Sequence, residues 1–118
     1  MDAPFAPGDD LIFQLESGFG LLRVIAVEEH EAARVWHLMA YEEFFADSES
    51  AEAALLSPES LQVRRAHMAL TDRAFERTPA AKLGNRPVME HEQAAYQNWR
   101  HSDGRVSDRS ALLMLGIR

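Results

Sequence analysis

Leu11, Phe13 and Leu15 fall on one parity of the chain, and Asp10, Gln14 and Glu16 on the other with Ile12 among them. A period of two predicts a strand with one wet face. Ser17-Gly18-Phe19-Gly20 breaks the alternation, and its glycines permit the positive φ of a tight turn. Leu21 to Val27 is apolar except for Arg23, the composition of a central strand buried on both faces. The opening stretch is therefore predicted as a hairpin: an outer strand, a turn and an inner strand. Glu28 to Ala33 is polar and turn-like. Arg34 to Tyr41 predicts a third strand, with Val35, His37, Met39 and Tyr41 on one face and Trp36, Leu38 and Ala40 on the other.

Asp47 or Ser48 is suited to cap a short helix, with Glu49 and Glu52 near its positive end and Ser57-Pro58 stopping it. Ala51, Ala54 and Leu55 would face the sheet. Leu61 to Thr71 is strand-like, but its phase slips: Leu61 and Val63 set one parity, Ala66, Met68 and Leu70 the other. Arg64-Arg65 sits at the slip, where a β-bulge would absorb an extra residue or two short strands would meet. Thr71 to Thr78 is read as a continuation of the strand around Phe75. Thr78-Pro79 and Leu83-Gly-Asn-Arg-Pro87 are loop signals. From about Val88 a helix is predicted, with Met89, Tyr96 and Trp99 on one stripe and Ala95 beside them, ended by His101-Ser-Asp-Gly104. Ser107 is expected to cap a last helix with Leu112 to Leu115 as its apolar body, Gly116 as a left-handed cap and Ile117 folding back on Leu112. Strands first and helices after imply an α+β chain. The expectation is a bent antiparallel sheet or small SH3-like barrel over about residues 10–77, followed by two C-terminal helices, in a single domain spanning 1–118.

Charge sharpens the picture. The net value is -7 over 118 residues, but thirteen acids and two bases crowd residues 1–60. Residues 61–89 carry six bases and two acids, and the remainder balances. An acidic half disfavours wide contact with a phosphate backbone, so nucleic acid is not the expected partner. It suits steering toward a basic protein. The chain holds no cysteine, which removes disulfides and thiolate chemistry. The acidic, proline-bearing start lacks the pattern of a secretory signal, and no apolar run reaches the ~18 residues of a membrane span. A soluble cytoplasmic protein is expected.

Gly8-Asp9, an apolar strand, and Gly18-x-Gly20-x-x-Arg23-Val24 form a recognisable rhythm over residues 7–28. It resembles the opening of SH3-barrel-like immunity proteins from bacterial polymorphic toxin systems. It is also similar to small bacterial proteins of unassigned function. The resemblance implies a cytoplasmic protein that binds and blocks a toxin domain, with no chemistry of its own.

The residues themselves offer little catalysis. No Gly-x-Ser-x-Gly, His-Glu-x-x-His or phosphate-cradling glycine loop is present, so the chain points away from an enzyme and no cofactor is expected. The leading expectation is a protein-interaction module. Its partner surface would comprise Glu28, Glu29, Glu31, Glu42, Glu43 and Asp47, with Phe44 and Phe45 as aromatic anchors, although one Phe is expected to plug the end of the sheet. Arg64, Arg65, Arg73 and Arg77 could hold an anion, or pair with acids of the same chain. With Lys82 and Arg86 they are also the bases that nucleic-acid binding would need. The alternative is a ligand site, or a metal site, where His37 and His67 meet across the sheet near Glu42, Glu43 or Asp47. Exposed sheet edges or the C-terminal helices could support a homodimer.

Overall fold

A computed structural model describes residues 4–30, 33–102 and 104–116, with the side chain of His30 excepted. It is an α+β fold. The strands are β1 (Asp9–Leu15), β2 (Gly18–His30), β3 (Ala33–Tyr41), β4 (Val63–Thr71) and β5 (Ala80–Asn85). The helices are α1 (Ser48–Ala54), α2 (Asp72–Glu76), α3 (Glu90–Arg100) and α4 (Ala111–Leu115), with a 3-10 turn at Pro58–Ser60. The strands form one antiparallel sheet in the order β4-β3-β2-β1-β5. Among the described residues the sheet is open, with β4 and β5 as its edges, rather than closed into a barrel. The helices do not simply follow the strands: α1 and α2 interrupt them.

The first strand is not an outer one. Ala80–Asn85, expected as part of a loop region, pairs with β1 on the side away from β2. The second face of β1 is covered as well: Ile12 packs in a core with Leu21, Ile25 and Met39, and Asp10 is buried against Arg23 and Arg86. A burial pattern of period two therefore failed to show that both faces of β1 are covered. The turn also moves: Leu15 pairs with Gly18, leaving Glu16-Ser17 as the two-residue link. Gly18 and Gly20 lie within β2, and they are needed for close approach. A Cβ on Gly18 would stand 2.5 Å from the Phe45 carbonyl oxygen, and one on Gly20 would stand 2.5 Å from the Phe13 ring.

The second hairpin is longer than polarity suggests. Glu28 pairs with Val35 and Glu29 with Arg34, so these acids belong to strand β2 and not to a turn. The faces of β3 fall as expected. Trp36, Leu38 and Ala40 join Leu11, Phe13, Val24, Met68 and Leu70 in one core, beneath α2 and α4. Met39 and Tyr41 join Ile12, Leu21 and Ile25 in the other, beneath α1 and α3. The phase slip in β4 is real. Leu38 pairs with Met68, Ala40 with Arg65 and Tyr41 with Val63, so β4 carries extra residues and remains one irregular strand.

Local chemistry explains the ends. Asp47 caps α1, its carboxylate accepting from Ser50 N at 2.7 Å. The segment after Thr71 is helical, not extended, because Thr71 Oγ1 accepts from Ala74 N at 3.1 Å and Ala74 and Phe75 are then buried. Ser110, rather than Ser107, caps α4. Ser107 instead lies beside Leu70 on the edge of β4. Gly116 ends α4 with φ 69°; the expected Ile117 contact lies outside the described residues. Among the described residues no helix is long and apolar enough to cross a membrane.

Candidate functional site

Helix α3 crosses one face of the sheet, and its inward side chains meet charge as well as hydrocarbon. Arg23, in the middle of apolar β2, is fully buried. Its Nε donates to Glu92 Oε2 at 2.6 Å. Nη1 donates to Gly8 O at 2.9 Å and Asp10 Oδ1 at 3.2 Å. Nη2 reaches Arg86 O, Pro87 O and Glu92 Oε1 at 3.0 to 3.1 Å. A buried guanidinium is tolerable only with its donors satisfied and its charge matched. Both conditions hold: Asp10 and Glu92 balance Arg23 and Arg86. Burial favours the neutral form of Glu92, but Arg23 and the Met89 N–H outweigh it and hold the carboxyl below its usual range.

Arg86 follows β5 in the loop before α3. Its Nε and Nη2 grip both oxygens of Asp10, at 2.7 and 2.8 Å, a two-pronged geometry that lysine does not offer. Nη2 also donates to Tyr41 Oη at 3.2 Å. Burial pushes the Tyr41 phenol above its ordinary pKa. Asp10 raises the pKa of Arg86 further, so it is a permanent cation. Among the described residues Arg86 Nη1 meets no acceptor, and the side chain is 30% exposed.

That exposure opens on a groove of about 740 Å³ between the N-terminal end of α3, the 3-10 turn and β4. Met39, Leu61, Val63, Ala66, Met89 and Ala95 supply most of its wall. Tyr41, Arg86, Glu92, His91 and Glu59 supply the polar groups. Val63 and Met89 are half exposed, so the groove is apolar and accessible.

Farther along α3 a chain of polar side chains runs under the helix. His37 Nε2 lies 2.6 Å from Glu28 Oε1, and Tyr96 Oη donates to Glu28 Oε2 at 3.1 Å. His37 Nδ1 lies 2.9 Å from His67 Nε2. A carboxylate accepts only, so His37 Nε2 carries the hydrogen, His37 Nδ1 accepts, and His67 Nε2 donates. The order is thus His67 to His37 to Glu28, with the lone pair of His67 Nδ1 at its far end. Trp99 packs on both imidazoles, with ring centroids 4.6 and 5.7 Å away.

Burial lowers the pKa of His37, against the opposing pull of Glu28. Burial, then the charges of His37 and Arg65, lower that of His67 to about 4. This makes stability depend on pH with a definite sign. The unfolded chain takes up a proton near the ordinary histidine value of 6.5, and folded His67 only near 4. Stability is therefore full above pH 6.5 and falls as pH drops toward 4, by at most about 3 kcal/mol from this imidazole. Urea denaturation across that window should record the fall. It should flatten in His67→Gln, whose amide can still donate to His37. An unchanged slope in that variant would show that other groups cause it.

The structure spreads the sequence-predicted residues over separate tasks. His37 and His67 do meet, but the carboxylate that joins them is Glu28, not Glu42, Glu43 or Asp47. Their facing nitrogens bond each other, and among the described residues no trio of His, Asp or Glu is placed to hold a metal ion. Glu29 is exposed opposite Arg34, and Glu31 lies outside the described residues. Glu42 pairs with Arg64 at 3.4 Å, and Glu43 accepts from Gln62 N. Phe45 packs into the core beneath α1, as expected of one of the two phenylalanines, while Phe44 is 48% exposed. Arg64 and Arg65 donate to the Leu115 and Met114 carbonyls at the end of α4. Arg73 and Arg77 both converge on Asp108. The four arginines therefore do not form one cluster. Pattern reading passed over Asp10, Arg23, Tyr41, Arg86 and Glu92 as a unit. Arg23 was the available signal, because a charge inside a doubly buried strand requires an opposite charge brought from elsewhere.

Compared with known proteins, the chain matches no family model, no curated protein and no solved structure.

Proposed function

We propose that this chain is a small-molecule-binding domain whose ligand has an apolar body and an anionic head. The body lies along Met39, Leu61, Val63 and Ala66, and the head meets Arg86. A groove of about 740 Å³ falls within the range of roughly 300–1,000 Å³ typical of sites for such ligands. The observation that carries the reading is the divided fork of Arg86. Asp10 and Tyr41 hold two nitrogens in place, the third meets no acceptor among the described residues, and Arg86 lines the groove. A held guanidinium gives an anion direction without the cost of ordering the side chain.

Decanoate and decanol are suitable probes, measured by isothermal titration. Decanoate is expected to bind at least about tenfold more tightly, the worth of one charge-assisted hydrogen bond. Ala66→Trp, at an exposed position on the groove wall, should abolish binding of both without loss of the fold. If neither probe binds, or if Ala66→Trp leaves binding intact, the reading fails.

A second reading keeps the acidic surface as the working part. It is favoured by half-exposed Phe44 standing among Glu42, Glu43 and Asp47. The chain would then be a protein-interaction module for a basic partner, in its sharpest form an immunity-like inhibitor acting in the cytoplasm. Its test is a pull-down with Phe44→Ala combined with Glu42→Lys. A basic partner held by the native chain and lost by the variant supports it; equal capture removes it.

A further inference from the structure

A second, smaller cleft of about 300 Å³ shares no lining residue with the groove. It is bounded by β4, the C-terminal end of α3, the segment around residues 105–107, and α4. Its polar lining is Arg65, His67, Arg105 and Ser107; the rest is Met68, Ala69, Trp99, Val106 and Met114. Two guanidiniums, an imidazole and a hydroxyl meet there, and none of the lining residues is a carboxylate. In a chain of net charge -7 that concentration of donors runs against the average.

Arg65 and Ser107 retain donor capacity. Arg65 spends one nitrogen on the Met114 carbonyl at 3.3 Å, and among the described residues its Nε and Nη2 meet no acceptor. Ser107 Oγ accepts from Arg109 N at 3.0 Å, which leaves its own O–H to donate. His67 comes to the cleft already oriented, because its Nε2 is committed to His37 and, through His37, to Glu28. Its Nδ1 is the basic end of that chain.

We propose that this cleft binds a small oxyanion, a sulfate or phosphate group, and that binding takes up a proton on His67. Arg105 in the adjoining segment and Arg100 on α3 are further cations on the elements around His67. Burial first, then His37 on β3 and Arg65 on its own strand, oppose a positive imidazole. Glu28 on β2, acting through His37 on β3, favours one, and Tyr96 and Trp99 on α3 bring no charge at neutral pH. In the unliganded protein the balance leaves His67 neutral. An oxyanion placed between the arginines and the imidazole reverses that balance, since a nearby opposite charge favours the protonated form. The proton then becomes a further donor to the anion. Binding tightens as pH falls, and the Glu28–His37–His67 chain acts as the sensor.

Sulfate is the probe of choice because it does not itself titrate in the working range. Its binding is measured by titration at about pH 5.5 and about pH 7.5, with chloride at matched ionic strength as the control for screening. Histidine NMR follows His67 in parallel. The expected result is roughly tenfold tighter binding at the lower pH, which by linkage requires the His67 titration midpoint to rise by about 2.5 pH units at saturation. Arg65→Gln, at an exposed position, should weaken sulfate by at least about tenfold. His67→Gln should still bind at the higher pH but lose the pH dependence. A His67 midpoint that sulfate leaves in place, or equal binding by the native chain and Arg65→Gln, overturns the proposal. Phosphate monoesters titrated next separate a bare ion from a phosphorylated small molecule as the occupant. Neither arm involves the groove at Arg86, so the two sites stand or fall apart.

Discussion

Replacing Arg23 by methionine is expected to cost about 3–5 kcal/mol of folding stability, the usual penalty for breaking a buried ion pair from one side. The cause is what remains behind. Arg23 donates to six acceptor atoms on Gly8, β1, the loop after β5 and α3, all within reach of one planar fork. Without it Glu92 is a carboxylate under α3 with no cation bonded to it, and the Arg86 and Pro87 carbonyls lose the Arg23 donor, while Gly8 O keeps the Arg86 N–H at 2.9 Å. Asp10 retains Arg86, so the loss falls mainly on the docking of α3. Adding Glu92→Gln to Arg23→Met should therefore recover part of the stability, because a buried amide costs less than a buried charge. A domain of this size holds about 5–15 kcal/mol in all, so the single variant will be marginal. Urea midpoints of the two variants measure the difference. A loss below about 1 kcal/mol in Arg23→Met would mean that water reaches the guanidinium and the network is not closed.

Trp36→Ala is expected to cost a similar amount, about 3–5 kcal/mol, for a different reason. Trp36 is fully buried in the core on the opposite face of the sheet. Its ring centroid lies 4.6 Å from that of Phe75 and 6.5 Å from that of Phe5. Its indole N–H donates to Asp72 at the start of α2. Truncation opens a cavity that the flanking strands have little freedom to fill, and it releases α2 and the Phe5 segment together. Trp36→Phe separates the two contributions. It keeps most of the apolar surface and removes only the hydrogen bond to a half-exposed carboxylate, so it should cost about 1 kcal/mol. Thermal or urea unfolding of both variants checks the order. Equal losses would assign the stability to the hydrogen bond and not to packing.

The two variants mark where pattern reading succeeds and where it stops. Trp36 was placed correctly on its face from β3 alone, because a side chain on a strand obeys a period of two whatever surrounds it. The phase slip at Arg64-Arg65 was visible for the same reason: an added residue in β4 shifts the parity of every apolar position after it. A bulge and a break look alike in sequence, and only the pairing with β3 decided for one irregular strand. Asp47 as a cap and Gly116 as a left-handed stop were equally local, set by hydrogen bonds that span three or four residues. Ala80–Asn85 was missed as a strand because it is short, holds a glycine and lies on an edge. Its partner, β1, is about seventy residues away in sequence, as the pairing of Ile12 with Ala81 shows. Asp72–Glu76 was misread because Phe75 alone does not distinguish a strand from one turn of helix.

The candidate sites divide in the same way. His37 and His67 could be matched in advance because both stand on strands that pair directly, with His37 opposite Ala69. Glu28 was assigned to the surface; the pairing of β2 with β3 sets it beside His37, and the packing of α3 over the sheet brings Tyr96 to it. Arg86 has no local pattern that separates it from any loop arginine. Asp10, across the sheet from its position in sequence, turned it into a fixed donor at a groove. By itself the sequence determined the residue type at each position, the strand faces, the caps at Asp47 and Gly116, and the absence of cysteine chemistry. The tertiary structure alone decided which charges are buried and which face a cavity. Hydrophobic alternation and capping act over a few residues, whereas the pairing of a buried charge depends on partners that the fold draws from any distance along the chain.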